Sequence, residues 1–136
     1  MMNWKIIATC CLLAAILFSC GNKDGSLKEY IKNADSASIA FYVGDSTTQI
    51  VIKDKSAIEK LGSYIDGKRI EPLKCSDSGS IWFYEGGKKK MQVDFSINPE
   101  CSFFSYMMND KIFAKVMSED ATLYLNSVKD IATGIL

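Results

Sequence analysis

Apolar and polar positions along the chain change period several times, and each change marks an element. Residues 6–18 form an unbroken run of 13 with no charged side chain, and Lys5 in front of it is the only charge before Lys23. Beyond Ser26, the spacing of Leu27, Tyr30 and Ile31 predicts a short helix capped by that serine. Ser38 to Val43 then alternates, with Ile39, Phe41 and Val43 on one side and Ala40 and Tyr42 on the other. The turn-rich Gly44-Asp45-Ser46-Thr47 leads into Gln49-Ile50-Val51-Ile52-Lys53, so a β-hairpin is expected here. Ser56-Ala57-Ile58-Glu59 fits a capping box, and Ile58, Leu61 and Ile65 follow at helical spacing. Asp66-Gly67 stops that helix through a left-handed glycine, and Gly62 inside it suggests close contact with a sheet.

From Leu73 onward the pattern is that of a meander. Strands are expected at residues 80–85 and 91–96, joined through Gly86-Gly87-Lys88, then at 102–107 and 112–116 around the turn Asn109-Asp110-Lys111. Ser118-Glu119-Asp120 opens a closing helix with acids in its first turn, where the helix dipole favours them. Its apolar stripe is Ala121, Leu125, Val128, Ile131 or Ala132, and Ile135. The fold class expected for residues 27–136 is a single α+β domain, an antiparallel β-sheet meander with two or three helices packed on one face.

The first apolar run is too short for a membrane span, which needs about 20 residues, and it has the form of the apolar core of an export signal. Leu17-Phe18-Ser19-Cys20-Gly21 follows it. This segment resembles the lipobox of bacterial lipoproteins: an aliphatic residue three before the cysteine, a small residue just before it, then Cys and Gly. The resemblance implies a signal peptide at residues 1–19, a diacylated Cys20, and a flexible tether through residue 26. It also implies attachment to a membrane through the lipid anchor, in the cell envelope, with the outer membrane as the expected station. Each buried acyl methylene contributes about 0.8 kcal/mol, and two chains suffice for stable anchoring. Lys23-Asp24 is similar to the acid-containing export signals of Bacteroidetes surface lipoproteins. The leader, Cys20 and the general shape together resemble the small lipoproteins of that group. Ser78-Gly79-Ser80 followed by Tyr84 resembles lysozyme-inhibitor lipoproteins. The tyrosine-and-lysine pattern of that family does not continue, so none of its residues is carried over.

An exported chain meets oxidising conditions, and Cys75 and Cys101 are the thiols left after the leader and Cys20. If the strand pairing centres on Lys88, Ile81 faces Phe95, Phe83 faces Val93 and Cys75 faces Cys101. A Cys75–Cys101 disulfide is therefore expected. The competing reading is a reactive thiol with a resolving partner, but no CxxC and no neighbouring histidine lowers either pKa.

Charge and chemistry narrow the functional classes. With 16 basic and 16 acidic side chains, the chain has no basic excess of the kind nucleic acid demands. It contains no histidine, which removes Ser-His-Asp and Cys-His catalysis and histidine-bound zinc. No glycine-rich phosphate loop or metal-ligand spacing appears, so neither catalysis, metal nor cofactor is expected. Lys88-Lys89-Lys90 reads as a solvated turn that also discourages edge pairing, or as a contact for lipid headgroups.

One face of the strands invites a partner. By residue parity, Tyr42, Trp82, Tyr84, Phe104 and Tyr106 share a side with Gln92, Asp94 and Ser96. Aromatic rings with hydrogen-bonding edges suit protein and sugar partners. The expected function is a non-enzymatic binding module for a protein or glycan partner in the envelope, with Trp82 as its anchor. Two other readings stand beside it: an immunity or inhibitor protein neutralising a periplasmic toxin or hydrolase, and a structural subunit of an envelope complex. The competing account of the aromatic face is that a helix or loop covers it and the rings only pack.

Overall fold

Sharp turns lay out the sheet. The computed structural model describes residues 27–134. The expected signal peptide, Cys20, the tether with Ser26, and Ile135 lie outside them. The chain runs α1 (Leu27–Ile31), β1 (Ser36–Val43), β2 (Ser46–Ile52), α2 (Lys55–Ile65), β3 (Arg69–Ile70), β4 (Gly79–Glu85), β5 (Lys88–Asn98), β6 (Cys101–Met108), β7 (Lys111–Val116) and α3 (Glu119–Thr133). The seven strands form one sheet in the order β2-β1-β4-β5-β6-β7-β3, with every pairing antiparallel. The fold is α+β, with three helices packed on the sheet.

Each of the four hairpins closes on two residues: Gly44-Asp45, Gly86-Gly87, Pro99-Glu100 and Asn109-Asp110. Gly86 and Gly87 have φ of 58° and 80°, the mirror-image turn whose twist matches the flanking strands. Asn98 helps close the next turn, its Oδ1 accepting from the Glu100 N–H at 3.1 Å. The β4–β5 register differs from expectation. Ile81 faces Val93 and Phe83 faces Met91, two residues tighter than a pairing centred on Lys88, because the turn holds only the two glycines. An irregularity between Phe83 and Tyr84 gives β5 one extra residue, so the shift is even and each side chain keeps its expected face.

Phe41, Ile39, Ile81, Phe83, Val93, Phe95 and Phe104 form the sheet's contribution to the core. Over them lie Leu27 and Ile31 of α1, Ile58, Leu61 and Ile65 of α2, and Ala121, Leu125 and Val128 of α3. Burying one such side chain fully contributes roughly 1.5–3 kcal/mol. Phe41 and Phe95 meet edge to face at 5.6 Å. The stripe of α3 continues through Ala132, packed against the core, while Ile131 is exposed.

Helix ends follow local chemistry. Ser118 caps α3 as expected, its Oγ accepting from the Ala121 N–H at 3.1 Å. The cap of α2 is Asp54, whose Oδ2 accepts from the Ala57 N–H at 3.1 Å, and not Ser56, which lies inside the first turn. Gly67 is not left-handed. It is small because a Cβ there would stand 2.6 Å from the Val116 carbonyl oxygen. Gly62 likewise makes room for the Ile31 side chain of α1 rather than for the sheet.

One connection crosses the sheet. β3 lies at an edge, yet β4 lies between β1 and β5, so residues 71–78 must pass β7, β6 and β5. Cys101 alternates away from the inward-facing Phe104 and Tyr106, so it projects from the face opposite the helices. Cys75 stands at disulfide distance from it, with Cα atoms 6.6 Å apart. The crossing therefore runs over the outer face as a strap. Ser78 seats its end: its N–H donates to the Phe95 carbonyl at 2.7 Å and its carbonyl accepts from the Tyr42 N–H at 2.9 Å. Its Oγ accepts from the Ile97 N–H at 3.0 Å. The two cysteines thus meet as expected, but across a strap rather than as the next rung of the β4–β5 ladder.

The bridge closes a loop of sequence separation 26. In the chain-entropy treatment that constrains the unfolded state by about 3.5 kcal/mol. Replacing both cysteines with serine is expected to lower the unfolding free energy by about that amount, measured by urea denaturation with and without reductant. Equal stability of the two forms would show that the strap holds without its bridge.

Candidate binding face

Helices cover one side of the sheet, and the other side displays its side chains in transverse rows. Register places Val51, Ser38, Trp82 and Gln92 side by side across β2, β1, β4 and β5. Past a break between β5 and β6, Met107 and its partner Ile112 continue the row. Val51, Met107 and Ile112 are 55%, 61% and 56% exposed, and Trp82 is half-buried among its polar neighbours. The adjacent row is small and polar: Gln49, Ala40, Ser80, Asp94, Ser105 and Ala114.

A hydrogen-bonded chain ties these rows together. Ser80 Oγ donates to Asp94 Oδ1 at 2.6 Å, so the Tyr42 hydroxyl, 2.7 Å from Ser80 Oγ, is the donor in that pair. Gln92 Nε2 donates to the same Asp94 oxygen at 3.2 Å, and Lys89 Nζ donates to Gln92 Oε1 at 3.4 Å. Gln49 Nε2 donates to Ser38 Oγ on the neighbouring strand. Asp77, on the strap, feels this acidic spot: burial pushes its carboxyl up, and the Asp94 charge adds to the shift.

The ladder between β5 and β6 ends at Val93 and Tyr106. Beyond it, the bulged start of β5 and the end of β6 separate around a cleft of about 510 Å³. Lys89, Lys90, Gln92, Asp94, Met107 and Asn109 are among its lining residues. Lys90 Nζ lies 3.7 Å from Glu85, and the Tyr30 hydroxyl donates to Asn109 Oδ1 at 3.3 Å. The cleft joins two cations, a carboxylate and two amides to the exposed methionine, a set able to hold a polar ligand that also carries apolar surface.

Three of the five residues expected on this face are there. Tyr42 is 44% exposed, and Trp82 and Tyr84 are half-buried. Phe104 and Tyr106 are not: both are buried in the core, facing the helices. The reason is the two-residue turn at Pro99-Glu100, which pairs Phe95 with Phe104 and Val93 with Tyr106 and so reverses the parity of β6. Met107 and Ile112 take the outer positions instead. Counting from Asn109-Asp110 as a two-residue turn makes them partners; the same count across Pro99-Glu100 identifies their face.

Tyr106 stacks on Phe113 at 5.7 Å, and the Arg69 guanidinium lies 4.6 Å from the Phe113 ring centre. Burial pushes the Tyr106 hydroxyl up to about 12, the Asp66 charge adds to this, and Arg69 works against it.

The chain matches no family model, no curated protein and no solved structure. Among the described residues, no group of His, Cys, Asp or Glu is placed to hold a metal ion, and no helix is long and apolar enough to cross a membrane.

The Tyr106 shift sets a pH dependence. Its hydroxyl ionises near 10 in the unfolded chain and about 12 in the fold. The unfolded state therefore loses its proton first, and stability present below pH 10 declines as pH rises toward 12. The difference in unfolding free energy between wild type and Tyr106→Phe should change across that interval and be flat below it. A constant difference would place the hydroxyl in a water-like setting.

Proposed function

We propose that this protein is a lipid-anchored component of the cell envelope that binds a protein or glycan partner without catalysis of its own. The observation that carries the reading is the row that sets Val51, Trp82, Met107 and Ile112, with Ser38 and Gln92 between them, across the face opposite the described helices. Monomeric soluble proteins scatter single apolar residues over their surface; a row of them interleaved with Gln92 and bordered by Tyr42, Asp94 and Lys89 has the composition of a recognition surface. Trp82 is its central anchor, with Tyr84 farther along the same strand. The cleft beside Gln92 supplies hydrogen-bonding groups that give direction to the contact. Anchoring through Cys20 rests on the lipobox resemblance, and it keeps the face near its partners without requiring high affinity.

A photo-cross-linker placed at Gln92 in intact envelopes should form an adduct of defined mass. Trp82→Ala should weaken that capture about 30-fold, the loss expected when an interface anchor contributing about 2 kcal/mol is truncated. Tyr84→Ala should weaken it less, and Leu123→Ala on the exposed side of α3 should leave it unchanged. Equal capture by all variants would reject the face. Mass spectrometry finding Cys20 unmodified would reject the anchor independently.

A further inference from the structure

The sheet ends at β2 on one side, and this edge is unlike the other. At the far edge β3 sits on β7, pairing Arg69 with Lys115 and Ile70 with Ala114, two of that strand's six residues. β2 spans seven residues, Ser46–Ile52, without a charge, a proline or a recorded register shift. Those are the devices that usually keep a strand edge from pairing.

Its hydrogen-bonding phase is fixed by the turn. Val43 and Ser46 flank a two-residue turn, so they form a hydrogen-bonded pair, and the pairs at Thr48, Ile50 and Ile52 share that phase. The Tyr42 N–H, directed instead to Ser78 on the β4 side, agrees with it. The N–H and C=O groups of Thr47, Gln49 and Val51 therefore point outward. No other described residue bonds to them.

The geometry points to a second copy of this chain as the occupant, with β2 pairing antiparallel to β2 about a two-fold axis through Gln49. In that register Thr47 faces the partner's Val51 and Gln49 faces the partner's Gln49, so all six outward groups of each strand are used. The ends agree as well. Asp45 falls opposite the partner's Lys53, and Lys53 opposite the partner's Asp45; both residues are exposed. A shift by two residues loses outward groups and breaks both charge pairs. The axis stands perpendicular to the sheet, so the helical faces stay on one side and the row containing Trp82 and Val51 runs on into the second copy's row of Thr47 and Tyr42.

Gln49→Cys in the full-length chain, in its native membranes, tests this directly. Directly opposed residues hold their Cβ atoms about 4.5–5.5 Å apart, so oxidation should give an adduct of twice the chain mass. Thr47→Cys should not, since its copies stand about 14 Å apart along the strands at roughly 3.4 Å per residue. Lys53→Asp should reduce the Gln49→Cys adduct severalfold, and Asp45→Lys combined with Lys53→Asp should restore it. No adduct from Gln49→Cys, equal adducts from positions 47 and 49, or linkage only to a different chain would overturn the inference. Loss of partner capture by Trp82→Ala bears on the face alone, and the cross-link at residue 49 on the edge alone.

Discussion

The structure depends on the strict alternation of strand side chains combined with two-residue turns. A turn of that length joins an odd-numbered residue to an even-numbered one, so the set of residues facing inward changes parity at each hairpin. β5 buries Met91, Val93 and Phe95, β6 buries Phe104, Tyr106 and Met108, and β7 buries Phe113. β4 and β5 escape the change only because the bulge adds one residue to β5. Without it Lys90 would fall opposite the buried Phe83, and Met91, Val93 and Phe95 would turn outward.

This explains what could be read in advance. Strands and helices were legible because Gly86-Gly87, Asn109-Asp110 and Ser118-Glu119-Asp120 carry their own conformational reasons. Tyr42, Trp82 and Tyr84 were legible as a group because β1 and β4 pair directly. Phe104 and Tyr106 were misplaced because parity was carried through Pro99-Glu100 unchanged, and a single residue in a turn decides between core and surface. Asp54 was missed as a helix cap because Ser56 offered an equally good motif two residues later; only the backbone geometry separates them. The cysteine pair was found from a register that the structure does not have. Its success rests on the strap, whose path depends on strand order rather than on any local pattern.

The strap also divides the outer face. Phe103, two residues from Cys101 on that face, is only 3% exposed, whereas Met107 on the same side of the same strand stands in solvent. A covering segment and an open surface thus occupy opposite ends of β6. The covered end is tied by the disulfide and by Ser78; the open end adjoins the cleft and the start of β5. The outer side is therefore covered over one part and open over the other: a loop seals one end, and the other keeps Met107 and Ile112 exposed beside Gln92 and Lys89.

The row and the β2 edge meet at Val51 but present different groups, because they point in perpendicular directions. A partner on the row meets side chains standing off the sheet; a strand added at β2 meets backbone groups in its plane. Recognition at the proposed face would draw its selectivity from the chemistry of Trp82, Gln92 and Asp94, whereas backbone pairing is selective only through register and end charge. On an uncharged edge, Asp45 and Lys53 are the residues that distinguish an antiparallel copy from an arbitrary extended chain. A parallel neighbour in register would set Asp45 beside Asp45 and Lys53 beside Lys53. Opposite signs at the two ends of β2 therefore favour the two-fold arrangement over a continuing stack, and a two-fold arrangement closes on itself.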